Sequence, residues 1–220
     1  MNQPRTHFIL AAVALLLCST AAAEDDLWFG IKAGTLGVGV EATWRPVPLF
    51  DLRAGYNRLD YDDDGAQAGI EYDATLELRT TYATANLLFP VSPMRLTAGA
   101  FANDNRLVLQ SVDQPAYTVG GSSYTPDQVG TLRSTAAFDS PSPYLGIGFD
   151  FELAGRLGLN LDLGVLWQDS PVVTLTSDGS LANDPQFQQA LETERRELEQ
   201  ETKDFKAWPV VSLGLNFNFF

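Results

Sequence analysis

The segment "LGLNLDLGVLW", residues 157–167, alternates apolar and polar side chains almost without a break. Successive side chains of a β-strand point to opposite faces. Leu157, Leu159, Leu161, Leu163, Val165 and Trp167 therefore share one face. The other carries Gly158, Asn160, Asp162, Gly164, Leu166 and Gln168, with Leu166 its one apolar member. Three more runs repeat the pattern. Their apolar faces read Leu36, Val38, Val40, Ala42, Trp44; Phe50, Leu52, Ala54, Tyr56; and Val211, Leu213, Leu215, Phe217, Phe219. Opposite these lie Gly37, Gly39, Glu41, Thr43; Asp51, Arg53, Gly55, Asn57; and Ser212, Gly214, Asn216, Asn218. Alternation of this kind marks strands between an apolar and a polar medium. It leaves open whether the apolar medium is a protein core or lipid.

The N-terminus bears on that choice. Residues 1–23 read as a secretory signal peptide, with Arg5 and His7 at its start, an apolar run Phe8 to Leu17, and Ala21-Ala22-Ala23 as a cleavage site. Cleavage would leave residues 24–220 as one domain. It would remove the only Cys, the only His and Arg5, taking the formal charge from −14 to −15. A mature chain of that kind has no disulfide framework, no histidine base and no Cys/His metal site. Its negative charge opposes nucleic-acid binding. Nothing beyond the signal approaches 18 consecutive apolar residues, so a membrane-embedded form has to be a closed barrel.

Turn signals divide the remainder into eight runs, about 27–33, 36–44, 50–61, 70–88, 94–109, 132–151, 157–176 and 208–220. Pro141 and Pro143 weaken the first half of the sixth. Connections after the second, fourth and sixth runs are short. Those after the third (62–69), fifth (112–130) and seventh (177–205) are long and polar, and only the first connection breaks the alternation. Short turns at one rim and long loops at the other, with an even strand number, are the layout of an outer-membrane barrel. Aromatics near strand ends fit two interfacial girdles: Trp44, Phe50 and Phe219 at the short-turn rim, Tyr56, Tyr72, Trp167 and Trp208 toward the other. The competing reading is a soluble barrel or sandwich. Its outer face would be expected to carry lysine, yet the whole chain has only Lys32, Lys203 and Lys206.

The predicted fold is thus an all-β, eight-stranded antiparallel up-and-down transmembrane barrel, with a helix in the last long loop. That helix is expected within 183–206, where Asp184 can cap, Pro185 suits the first turn, and Phe187, Leu191 and Leu198 form a narrow apolar stripe. It reads as a helix packed on the barrel mouth or, more sharply, as a lid. "TVGGSSYT", 118–125, reads as a hairpin tip. "DDD", 62–64, lacks the ligand spacing of a calcium loop and reads as solvated.

The polar faces predict a cluster of inward charges: Lys32, Glu41, Asp51, Arg53, Asp73, Glu77, Arg79, Arg95, Asp150 and Asp162. An eight-stranded lumen is about filled by its side chains, so charges there must pair. Two readings stand: a structural salt-bridge plug, or a gated path for a small cation, favoured by the acidic excess. No phosphate loop, metal motif or nucleophile elbow is present, so a non-enzymatic protein without cofactor is expected.

Several segments carry a family likeness: "KAGTLGVGVEATW", "LRAGYN", "SPYLGIGFDF", "LDLGVLWQDSPVVTLTSDGSL" and "WPVVSLGLNFNF". In this order they resemble the CarO-type outer-membrane proteins of Gram-negative bacteria, within the wider OmpA- and OmpW-like small barrels. The resemblance implies a monomeric eight-stranded barrel with a role in uptake of ornithine and other basic amino acids, and a link to carbapenem permeation. The terminal Phe220 resembles the signal read by the outer-membrane assembly machinery, although Phe217 and Phe219 set the alternation and Phe220 falls out of step. The partners this implies are outer-membrane lipid, lipopolysaccharide and that machinery. The function expected is a narrow channel for small cationic solutes; the alternative is a closed structural barrel without transport.

Overall fold

A computed structural model describes residues 26–67, 70–112, 114–138 and 140–219. The expected signal peptide and Phe220 lie outside the described residues, as do the side chains of 64–72, Tyr72 among them. Strands are β1 (Asp26–Gly34), β2 (Gly37–Val47), β3 (Phe50–Gln67), β4 (Ile70–Leu88), β5 (Met94–Asn103), β6 (Arg106–Ser111), β7 (Tyr117–Val119), β8 (Ser122–Tyr124), β9 (Leu132–Ala137), β10 (Ser140–Ala154), β11 (Leu157–Trp167), β12 (Val172–Ser177) and β13 (Ala207–Asn218). Helices are α1 (Pro126–Val129) and α2 (Pro185–Thr202).

Among the described residues, eight of these strands close on themselves in the order β1-β2-β3-β4-β5-β10-β11-β13. All neighbours are antiparallel, and closure runs from Trp28↔Asn218 to Gly34↔Ser212. The alternation decides which side faces out. Leu213 is 53% exposed, whereas Asp162 is 7% exposed. Phe29, Ile31, Val38, Val40, Leu52, Leu145, Leu215 and Phe217 join Leu213 on the outside. The 11 residues of β11, at roughly 3.3 Å each and tilted about 40°, give an apolar band roughly 28 Å tall. An exposed belt of this size on a closed barrel is a lipid-facing surface. Trp44, Phe50, Tyr56, Trp167 and Phe219 sit on it as expected. Trp208 does not. It has the parity of Val210 and Ser212 and packs inward, leaving the girdle.

Beyond the band, β3 and β4 continue as one uninterrupted ladder, Phe50↔Leu87 through Gln67↔Ile70. The chain expected as a loop from residue 62 therefore remains strand to Gln67. β6 pairs with β4 and β9, and β12 pairs with β9, so an open sheet β3-β4-β6-β9-β12 rises from one side of the barrel. The fifth, sixth and seventh runs each break where they leave the barrel for this sheet. Between β5 and β6, Asp104 and Asn105 step out of the ladder, and their backbone N–H and side-chain oxygen bond the carbonyl and N–H of Arg79. On the opposite side the β1–β2 turn is only Thr35 and Leu36, closed by Gly37 at φ +96°. The long-loop rim is thus high on one side and low on the other.

The sheet carries a small cap with its own core. Tyr117, Val119, Val129, Leu132, Phe187 and Leu191 are all buried together. The hairpin foreseen at 118–125 supplies β7 and β8. The foreseen helix is α2, capped by Asp184, whose side chain accepts from the N–H groups of Gln186 and Phe187. Phe187 and Leu191 bury its stripe, while Leu198 is half-buried.

Candidate functional site

The lumen is built in layers. Nearest the short-turn end, β3 directs Asp51 and Arg53 inward, β4 Asn86, β5 Arg95 and Thr97, and β10 Asp150. The Arg53 guanidinium spans three carboxylates: Asp51 at 3.3 Å, Glu41 at 3.4 Å and Asp150 at 2.8 Å. Arg95, fully buried, donates to Asp150 at 3.0 Å, to Asp162 at 2.6 Å and to Thr97 at 2.8 Å. Asn86 donates to Asp51 at 2.5 Å. Lys32 completes the network from β1, 3.2 Å from Glu41 and 3.5 Å from Asp162. Each carboxylate here has a cation within salt-bridge distance, which is what removal from bulk water demands. Gly148 makes room for it, since a Cβ there would lie 2.2 Å from the Arg95 guanidinium carbon.

Above the charges lies an apolar layer. The Tyr82 and Phe101 rings stack at 4.8 Å and Phe101 meets Tyr144 at 5.2 Å. Leu36, Leu166 and Val210 are buried with them, and Trp208 packs alongside. The lone apolar residue on the polar face of β11 is thus part of a seal. Tyr82 joins the layers, donating to Glu41 at 2.7 Å. Nearer the rim follow neutral polar pairs, the Asn57 amide donating to the Thr80 hydroxyl at 3.0 Å and Asn103 donating to Gln168 at 2.9 Å. The free space left between charges and rings is about 20 Å³, the scale of one water. Below the charges a vestibule of about 260 Å³ opens at the short-turn end, with Arg53 and Asp150 in its wall together with Trp28, Arg45 and Glu152.

Of the ten inward charges expected from sequence, the lumen gathers Lys32, Glu41, Asp51, Arg53, Arg95, Asp150 and Asp162. Asp73, Glu77 and Arg79 are not among them. On β4 the buried residues are Leu78, Thr80, Tyr82, Thr84 and Asn86, so the odd-numbered positions face out. A one-residue error of parity moves a whole strand's charges to the other face. Glu77 and Arg79 instead form an outer ladder with Asp60 and Arg106, above the lipid band. Asp73 stands higher still, exposed, paired in the sheet with Asp64 and Gln110. Sequence reading also missed Tyr82, Phe101 and Tyr144. The signal for Tyr144 was the cross-strand glycine pair Gly146↔Gly164 beneath its ring: a Cβ on either would stand 2.4 Å from its hydroxyl.

Fold and site define a class: a closed, membrane-spanning eight-stranded barrel with a salt-bridged lumen and a small loop-borne core on the strands that extend beyond it. No family model matches the chain, and no curated protein sequence matches it. Solved structures do. CarO2 of Acinetobacter baumannii superposes with a TM-score of 0.60 at 22% identity, over 89% of this chain and 99% of that one. CarO of the same organism gives 0.58 at 24%, over 88% and 98%. At these identities the likeness is one of fold, and it agrees with the resemblance carried by the strand segments.

Proposed function

We propose that this protein is a bacterial outer-membrane barrel, exported by a cleaved signal peptide and monomeric, that acts as a narrow gated channel for small cationic solutes. Ornithine and basic amino acids are the candidate solutes, through the CarO likeness of fold and segments. The observation that carries the reading is the lumen itself. Lys32, Arg53 and Arg95 meet Glu41, Asp51, Asp150 and Asp162 in the space where well-packed apolar side chains would stabilise a barrel as well or better. Asp150 sits in the vestibule wall, a quarter exposed, its Oδ2 shared by Arg53 and Arg95 and its Oδ1 without a hydrogen-bond partner among the described residues. On this reading the conformation described is the closed one.

A second reading has its own observation. The free space of roughly 20 Å³ around the Tyr82–Phe101–Tyr144 layer is the scale of one water, which favours a structural barrel whose loops meet partners or lipopolysaccharide. Planar-bilayer recording and liposome swelling with ornithine separate the two. The channel reading expects cation-selective openings and ornithine-dependent swelling; silence in both assays leaves the structural barrel.

A further inference from the structure

Lys32 is unlike the other lumen cations. Its neighbours are arranged as a receptor for an ammonium group. The Nζ atom lies 3.2 Å from Glu41 Oε2, 3.2 Å from the Tyr82 hydroxyl and 3.5 Å from Asp162 Oδ2. It also lies 4.9 Å from the centroid of the Tyr82 ring, within cation–π range. Three acceptors and a π-face around one ammonium match its three N–H donors and its charge. The arginines are held differently, Arg95 by a fork of bonds from its rigid guanidinium to Asp150, Asp162, Asn86 and Thr97.

A second observation points to the same place. Asn160 is 1% exposed, its amide nitrogen bonds Glu41 at 3.5 Å, and its Oδ1 is buried with no hydrogen-bond partner among the described residues. In the ladder, Gly214 separates Asn160 from Lys32, pairing with both. A Cβ on Gly214 would stand 2.2 Å from Asn160 Oδ1, so this oxygen leans over the glycine on the side of Lys32. The pocket holds one acceptor more than the lysine uses.

We infer that Lys32 is a tethered surrogate for a solute ammonium, occupying an inner cation site made by Glu41, Asp162, Tyr82 and Asn160 and keeping the lumen shut. This rests on the channel reading and deepens it. Displacing the lysine exposes a site for a primary ammonium ion at mid-lumen, above the vestibule. A quaternary ammonium, which has no N–H to give the carboxylates, does not fit it.

The test uses Lys32→Met, refolded and melted at one ionic strength in sodium, methylammonium or tetramethylammonium chloride. In sodium chloride the variant melts below wild type. Methylammonium at about a hundredfold its dissociation constant raises the midpoint by about 5–10 °C, while tetramethylammonium and the wild-type protein show no such rise. If Lys32→Met does not refold in sodium chloride, refolding yield becomes the readout, and methylammonium alone restores it. An equal response to all three salts, in midpoint or yield, overturns the proposal. Stability is read without conduction, so the two readings fail separately. A silent wild-type barrel whose variant takes methylammonium loses the channel and keeps the site; a conducting barrel whose variant ignores it loses the site alone.

Discussion

The lumen and the cap are two interiors of opposite character in one chain. Inside the lipid band the wall is apolar outward and charged inward, and its core is a network of ion pairs around Arg53 and Arg95. In the cap, Phe187, Leu191, Tyr117 and Val129 pack inward while Glu and Arg face water. The changeover can be placed on β3 and β4, which run through both regions without a shift of register. Below it, Leu52, Ala54 and Tyr56 face out with Ala83 and Ala85. Above it, on the same outer faces, stand Arg58, Asp60, Glu77 and Arg79. Inward, the polar Thr80 gives way to Leu78, which is 2% exposed. The solvent outside changes from lipid to water, and the pattern inverts with it. Strand parity reports the surroundings as much as the fold.

Substitutions should therefore act differently in the two regions. The largest effect is expected for Arg95→Ala, which leaves Asp150 and Asp162 facing each other without their shared cation. The loss should be about 3–5 kcal/mol of barrel stability, read by heat modifiability in detergent. Phe187→Ala opens a cavity in the cap core at a cost of about 3–5 kcal/mol. That loss should appear as faster amide exchange in α2 and β7 with the barrel midpoint unchanged. A common drop in both would mean that cap and barrel unfold as one unit.

Next comes Leu213→Arg on the lipid face, expected to cost about 2–4 kcal/mol in bilayers. Thr75→Arg, outward on β4 above the changeover, should stay within about 0.5 kcal/mol. Similar costs at the two positions would erase the proposed boundary. The smallest effect is a pH dependence of α2. Arg195, by hydrogen bond and charge, holds the Glu192 carboxyl down at about 2, and Arg196 adds to this. A lowered value means stability that is full above the ordinary value near 4.5 and fades as pH falls toward 2. Amide protection of α2 should be flat from pH 7 to 5 and decline below, and Glu192→Gln should remove the decline.

The barrel was legible wherever one strand saw one pair of media along its length. β2, β11 and β13 stay within the band, and their parity gave Glu41, Asp162 and Ser212 as inward at once. β4 crosses the changeover, so its charged residues Glu77 and Arg79 and its polar residues Thr84 and Asn86 lie on opposite faces. Averaging over the strand hides that crossing and assigned the charges to the wrong side. Trp208 misled for a related reason: an aromatic near a strand end suits a girdle or a lumen seal equally, and only parity with Val210 distinguishes them. The ring layer was hidden because stacking of Tyr82 on Phe101 joins residues on different strands whose inward polarity is otherwise unremarkable. The cap helix was readable because Asp184, Pro185 and the stripe are local signals.

The central claim is that hydrocarbon covers the apolar face while the polar face is enclosed. Spin labels placed singly at Leu213→Cys and Ser212→Cys in liposomes address it on adjacent residues of β13. The account predicts high oxygen accessibility and little access to a water-soluble nickel chelate at 213, and an immobilised label shielded from both at 212. A label at 212 open to the nickel chelate, beside one at 213 shielded from oxygen, would contradict it.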